Sequence, residues 1–414
     1  MNRERHGVVA VVALCLGGFA AMLPQTMIVP LQPELPRLLG TSGAAAGWVM
    51  TTTLLVGCVS MPVSGRLADL VGRRRVLLVL AGSTATGSAV CALAESLWPM
   101  LAGRGLQGIG MGFVPVAIST VRHVAPPRMM GAGVAAMSAT MGIGAAVGLP
   151  GAAVVLEYAD WHLLFWGVAG LEAVVVVALL RLVPRGTRGS GRFDTLGALG
   201  LAGGVTPVLL AVTLAPDRGW GDPRTIACIV GGLAVLTGWA VLELRHPQPL
   251  VDLRASARRP VLLTNLVAVA IGFGLMGVAL VLPQVLRLPV ADGGFGLSLV
   301  ATGLVMAPGG VLMLLLSPVA GRAIDGWGAP RCLTASAAIM AAGYVAAAAL
   351  HDHLVPLLVV TVLMAVGSGT AYAAMPRLVM DHVPAANASA AVGVNALMRS
   401  FGTTSASAVV VTIL

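Results

Sequence analysis

The chain has 414 residues, 57% of them hydrophobic and only 10% charged, with a mean hydropathy of +0.94. Soluble domains carry about 25% charged residues, so this composition excludes a water-soluble core and makes the bilayer the solvent for most of the surface. The net charge of +9 comes from Arg alone, and the absence of Lys excludes a Walker A phosphate loop and a lysine Schiff base.

Apolar runs of about 20 residues without alternation predict helices rather than barrel strands, hence an all-α integral membrane protein. Thirteen such runs are expected, near 8–31, 46–64, 76–94, 99–120, 131–156, 163–183, 196–215, 225–242, 261–286, 298–320, 332–350, 355–376 and 389–414. Arg3 and Arg5 ahead of the first run resemble a signal peptide, but the run continues to Leu31, which predicts an uncleaved first helix. Alternating the sides puts 19 Arg and 7 acids in one set of loops, and 4 Arg with 8 acids in the other. The bias predicts a cytoplasmic N-terminus, with Trp48, Trp98 and Trp161 at the outer interface. The basic residues lie in short loops without a continuous basic face, so nucleic acid is not an expected partner. Cys15, Cys58, Cys91, Cys228 and Cys332 form no CxxC pair and read as small buried hydrophobes, with no metal site implied.

One stretch is written twice. Pro62-Val63-Ser64-Gly65-Arg66-Leu67-Ala68-Asp69 returns as Pro318-Val319-Ala320-Gly321-Arg322-Ala323-Ile324-Asp325, and His123-Val124-Ala125-Pro126 returns as His382-Val383-Pro384. A duplicated apolar chain with matching polar loops predicts a transporter built from two repeats. The expected organisation is a six-helix bundle over 1–184, two linker helices over 185–260, and a second bundle over 261–414. A fourteenth helix would complete the second bundle; the last run ends at Leu414, which suggests a truncated reading frame.

The first copy of the motif is expected as the loop between helices 2 and 3. Gly65 and Gly72 allow close approach, and Asp69 can bond helix N-terminal amides or Arg73. With Asp325 in the second copy, these residues would form a conformational latch; the plainer reading is that the loop only follows the charge bias. Arg104 lies about five residues into helix 4, in its outer third. It either faces a cavity with Gln107 or snorkels to the outer headgroups. The run Gly144 to Gly151 follows no strand, so helix packing and a bend at Pro150 are expected rather than a nucleotide loop. Two carboxyls could carry protons. Glu34 lies at the outer end of helix 1 and also reads as a solvated loop acid. Glu172 lies mid-membrane in helix 6, facing lipid or the linker helices, and an isolated carboxyl in lipid is held neutral. Pro24 and Pro30 loosen helix 1 beside Gln25, and Asn265 and Gln284 are the counterparts on helix 9. All three amides could line a substrate path or make interhelical hydrogen bonds. Arg399 in helix 13 has no counterpart in helix 5 and could face the cavity. Asn387-Ala388-Ser389 matches a glycosylation sequon but falls in an expected cytoplasmic loop.

Gly65 to Arg75 resembles the signature loop of the major facilitator superfamily. Arg104-Gly105-Leu106-Gln107-Gly108 resembles that family's Arg-bearing fourth helix, Gly144 to Gly151 its antiporter motif, and Trp161 to Phe165 the segment that follows. Asp194 to Gly197, Glu243 to Leu253 and Asn395 to Gly402 are similar to the 14-helix drug:proton antiporter branch. The resemblance implies a monomeric inner-membrane exporter of amphipathic, often cationic, compounds in exchange for protons, without a cofactor. It implies that Arg104 couples to protonation of a neighbouring acid. Three departures bear on this. Leu149 splits the usual Gly-Pro, Ala152-Ala153 replaces a double Gly, and Pro24 stands where the branch carries an Asp. Few cavity acids fit a strongly cationic drug poorly, and a secondary metabolite fits equally well. A uniporter or importer of the same fold, or a truncated non-transporting membrane protein, are the alternatives.

Overall fold

A backbone surrounded by lipid can satisfy its N–H and C=O groups only within its own helix, and the apolar runs fold accordingly. The computed structural model describes residues 2–185, 189, 191–350 and 353–413, and every regular element among them is helical. In chain order these are α1 (Asn2–Leu31), α2 (Leu35–Leu38), α3 (Gly43–Val71), α4 (Arg73–Ala92), α5 (Leu97–Gly110), α6 (Phe113–Val124), α7 (Met130–Tyr158) and α8 (His162–Leu182). They continue with α9 (Thr195–Arg218), α10 (Pro223–Arg245), α11 (Leu253–Ser256), α12 (Arg259–Arg287), α13 (Leu299–Leu315), α14 (Ser317–Trp327), α15 (Ala329–Ala349), α16 (Leu354–Asp381) and α17 (Ala388–Ile413). Ten helices among the described residues are long and apolar enough to cross a membrane, or up to eleven if α13 and α14, bent by 43° where they meet, form one span. That measure gives fewer than the 13 expected; the runs expected at 131–156 and 389–414 lie in α7 and α17.

Local chemistry sets several helix starts. Ser42 accepts from the Ala45 amide at the head of α3. Asp194 does the same for Gly197 in α9, at 2.7 Å. Asp222 caps α10 ahead of Pro223, which has no amide to satisfy.

The duplicated motif is not a loop. It continues α3 and α14 as helix, and the expected connection shrinks to one residue, Gly72 with φ +99° and Gly328 with φ +86°. Pro62 is carried inside α3 and Pro318 lies in the first turn of α14, so nothing within the motif ends the helix, and a residue without Cβ reverses the chain after it. Expected helix 4 is one span over 97–124 with a local irregularity at Met111 and Gly112, where α5 passes into α6, and serines of α3 bond there: Ser60 donates to the Ile109 carbonyl at 2.6 Å and Ser64 to that of Gly112 at 3.4 Å.

The helices of the first copy pack mainly as α1 on α7 and α8, α4 on α5 and α8, and α3 on α5. Those of the second copy pack as α12 on α17, and α16 on α13 and α15. The copies meet on two faces, α17 against α3 and α6, and α7 against α13, α14 and α16; the motif lies at the α3–α17 and α7–α14 crossings. At the first, a Cβ on Gly65 would lie 2.3 Å from the Ser389 carbonyl oxygen, and one on Gly393 would lie 2.4 Å from that of Met61. The α9–α10 hairpin sits outside this seam. Leu201 and Leu209 of α9 and Trp239 of α10 cluster with Cys58 of α3 and Val394 and Leu397 of α17, while much of α10 is exposed.

Gly72→Ala and Gly328→Ala each place a Cβ in backbone conformations that cost about 1–3 kcal/mol for other residues. Each is expected to lower the unfolding temperature of the purified protein, and the double variant to lower it further; a double variant that unfolds with wild type would show that the one-residue turns need no glycine.

Candidate functional site

The two copies of the motif each end on a helix of the opposite copy. Asp69, whose side chain is 1% exposed, lies at the end of α3 beneath the first turn of α17. Its carboxylate accepts from the Ala390 amide at 3.1 Å and the Ser389 amide at 3.4 Å, and pairs with Arg73 at 3.3 Å. A carboxylate is favoured there because it meets unpaired amides and the positive end of the helix dipole. Arg73 also donates to the Ser389 hydroxyl at 3.3 Å, and Ser119 of α6 lies 2.7 Å from the same hydroxyl. The candidate latch residues Gly65, Asp69, Gly72 and Arg73 are thus brought together at the arginine-rich end.

The second copy is looser. Gly321 packs on the α7 backbone at Ala132, and Asp325 lies so close to Gly131 that a Cβ there would meet its carboxylate at 2.3 Å. Asp325 is 45% exposed and pairs with Arg377 at 3.8 Å. Arg122 joins this set, donating to the Met380 carbonyl at 3.0 Å and pairing with Asp381 at 3.5 Å. The repeated histidines play matching parts: His123 Nδ1 lies 3.1 Å from the Ser119 carbonyl and His382 Nδ1 2.9 Å from that of Leu378, each four residues back.

A brace beside the latch was not foreseen. Arg66 donates to the Asn387 side-chain oxygen at 3.1 Å, and Asn387 donates to Asp252 at 3.5 Å. Asp252 in turn caps α11 through the Ala255 amide at 2.9 Å. One chain of polar contacts therefore ties α3, the entry to α17 and the segment after α10. Arg66 and Asn387 were both visible in motifs, but their partnership spans 321 residues and no local pattern announces it.

Toward the other end of the bundle, Arg104 does not snorkel; it is 0% exposed. It donates to the carbonyls of Val49 in α3 at 2.9 Å and Pro24 in α1 at 2.8 Å, and to the Gln107 side chain at 2.7 Å. Gln107 passes the chain on to Ser88 of α4 at 2.9 Å. Arg104 Nη2 and Gln25 Nε2 are buried without a hydrogen-bond partner among the described residues. Glu172 is also 0% exposed, and neither carboxyl oxygen has a hydrogen-bond partner among the described residues. It does not face lipid or the linker helices. It lies on the stripe of α8 that carries buried Val168, Val175 and Leu179 against α1 and α4, because helix periodicity places 168, 172, 175 and 179 on one face.

The remaining candidates separate. Glu34 is a solvated acid paired with Arg37 at 3.0 Å, both more than half exposed, and it makes no contact with Arg104. Asn265 accepts from Asn395 at 3.0 Å, an interhelical bond between α12 and α17. Gln284 is exposed near the end of α12. Arg399 is buried with its guanidinium 4.6 Å from the centre of the Tyr372 ring, between α12 and α16. The Pro150 side chain lies outside the described residues.

Asp69→Asn keeps the shape but removes the charge that meets the first turn of α17. In a background without the five native cysteines, an Ala390→Cys probe is expected to react slowly with impermeant maleimide from the arginine-rich side. Asp69→Asn should raise that rate about tenfold, the effect of losing roughly 1–2 kcal/mol of charge–dipole and ionic contact. Equal labelling rates would remove Asp69 from the closure.

The sequence profile of the Major Facilitator Superfamily matches residues 14–407. Lincomycin resistance protein LmrB of Bacillus subtilis is 29% identical over 77% of this chain and 66% of its own length. The tetracenomycin C resistance and export protein of Streptomyces glaucescens is 26% identical over 76% of this chain and 58% of its own. The chain spans between about half and two thirds of the length of the first curated relatives it matches. Among solved structures, the human organic anion transporter MFSD10 superposes with a TM-score of 0.71 over 98% of this chain and 93% of that one, at 17% identity, a likeness of fold alone. An all-helical, multi-pass chain whose repeated motifs close on each other's helices, and whose profile match runs nearly end to end, belongs to the Major Facilitator Superfamily of membrane transporters.

Proposed function

We propose that this chain exports amphipathic small molecules across the cytoplasmic membrane in exchange for protons, by alternating access between bundles over 1–184 and 261–414. The observation that carries the reading is the Asp69 carboxylate closing on the first turn of α17. A contact of that kind at the crossing of the two copies can form in one conformation and part in the other. With the arginine-rich end in the cytoplasm, the structure corresponds to the state closed on that side. The resistance and export named for LmrB and for the Streptomyces glaucescens protein support outward transport of drug-like compounds. In this reading Glu172 carries the proton, since among the described residues it is the carboxyl that lies away from the helix ends and is buried without a partner. Arg104 couples that site to the cavity through Gln107 and Ser88, and Gln25, Asn265 and Arg399 lie along the path.

One observation favours a proton-independent uniporter of the same fold. Helix α1 offers no mid-membrane carboxyl, and Glu34 at its end is solvated and paired.

One experiment separates the two. Accumulation of rhodamine 123, Nile red and fluorescein would be followed in an efflux-deficient host expressing the chain, with and without a protonophore. Proton-coupled export predicts that at least one dye accumulates several-fold less, that the protonophore removes the difference, and that Glu172→Gln removes it too. Protonophore-insensitive flux would establish the uniporter. Unchanged accumulation of all three dyes, with the protein in the membrane, would overturn export of amphipathic compounds.

A further inference from the structure

The interior of the spanning bundle holds more fixed cations than anions, and we infer that the bound substrate is an organic anion whose oxygen accepts from Arg104. The acids on the spanning helices cluster at their ends: Asp69, Asp325 and Asp381 at the arginine-rich end, Glu157 at the other. Glu172 is the exception in both repeat copies, and it is buried within the first copy's own packing against α1 and α4. Against this stand two buried arginines, Arg104 in the first copy and Arg399 in the second.

Arg104 carries the argument. Its three acceptors, the carbonyls of Val49 and Pro24 and the amide oxygen of Gln107, are all neutral. They satisfy donors without cancelling the charge. One guanidinium nitrogen, Nη2, has no acceptor among the described residues. Gln25 follows Pro24 in α1, and its Nε2 is likewise buried without an acceptor. What the site lacks is an acceptor, preferably one bearing negative charge, because a charge-assisted bond is stronger than a neutral one in a low dielectric. A cationic ligand would add a second positive charge and leave both donors unmet. A carboxylate or phenolate supplies what is missing. Pro24 and Pro30 each remove a backbone bond from the stretch of α1 that covers Arg104, so this cover can shift to admit a ligand.

Fluorescein and rhodamine 123 share a xanthene scaffold and differ in charge. Their binding to the purified full chain would be measured by fluorescence anisotropy. This measurement is independent of the export reading on which the ligand's role as cargo rests. Fluorescein is expected to bind about tenfold tighter or more, the weight of one hydrogen bond to a charged group. Arg104→Gln should remove that preference. Gln25→Leu, which deletes a donor at a half-buried position and leaves Arg104 in place, should weaken fluorescein several-fold, and it keeps the test open if Arg104→Gln does not fold. Rhodamine 123 binding as tightly as fluorescein, or no binding of fluorescein, or fluorescein binding indifferent to Gln25→Leu, overturns the inference. Fluorescein binding with the expected variant pattern but no transport in cells upholds the anion site and removes export.

Discussion

A carboxylate set against the first turn of another helix governs how this molecule is arranged. Asp69 gives up water almost entirely, which for a lone charge costs several kcal/mol. It is compensated by two amides of α17, by Arg73 and by the helix dipole. Contacts of this kind are worth about 0.3–2 kcal/mol each. Reversing a two-state equilibrium from 1:99 to 99:1 takes about 5.5 kcal/mol. A handful of such contacts can therefore hold one end closed, and differential binding of a ligand can still open it.

The duplication supplies two such contacts of unequal quality. At the α3–α17 crossing the carboxylate is buried and bonded to amides. At the α7–α14 crossing Asp325 is nearly half exposed and pairs with Arg377 at 3.8 Å. Exposed ion pairs contribute little, so the contact of the first copy is the stronger of the two. The brace from Arg66 through Asn387 to Asp252 adds to the same side. It also explains where the α9–α10 hairpin belongs. The hairpin buries apolar side chains against α3 and α17 together, so it touches both partners of that crossing.

Membrane helices, the repeat and the family motifs were legible because composition, hydropathy and identity of short segments are local properties. The one-residue turns were not, since nothing in Pro62 to Asp69 distinguishes a polar loop from the polar end of a helix. The burial of Arg104 was half legible. An Arg inside an apolar run promised a cost, but only the fold shows the carbonyls of Val49 and Pro24 that absorb it. Glu172 was legible as an acid in a helix, whereas its direction depended on which face of α8 meets α1 and α4. Glu34 was read from its place at the end of helix 1 and Gln284 as a counterpart of Gln25 in the second copy, and the fold leaves both in the open because α2 and the end of α12 lie at the surface.

The absence of a mid-membrane acid on α1 bears on how proton and substrate could be linked. Where a carboxyl lines the cavity, cargo and proton can compete for it directly. Here the mid-membrane carboxyl lies behind α1, packed with Val175 and Leu179 in the core that includes Phe113 and Leu14. On the proposed reading, substrate at Arg104 cannot touch it. The link must run through what both sites share, which is the position of α1 and α4. Arg104 holds α1 by the Pro24 carbonyl and reaches α4 by way of Gln107 and Ser88. Both helices also pack on the α8 face that carries Glu172. An anion that draws Arg104 away from Pro24 releases α1, and a shift of α1 changes how far water reaches Glu172. Coupling by packing of this kind needs a close-packed interior to transmit a small displacement, and the fully buried Leu14, Phe113 and Leu179 around that path supply one.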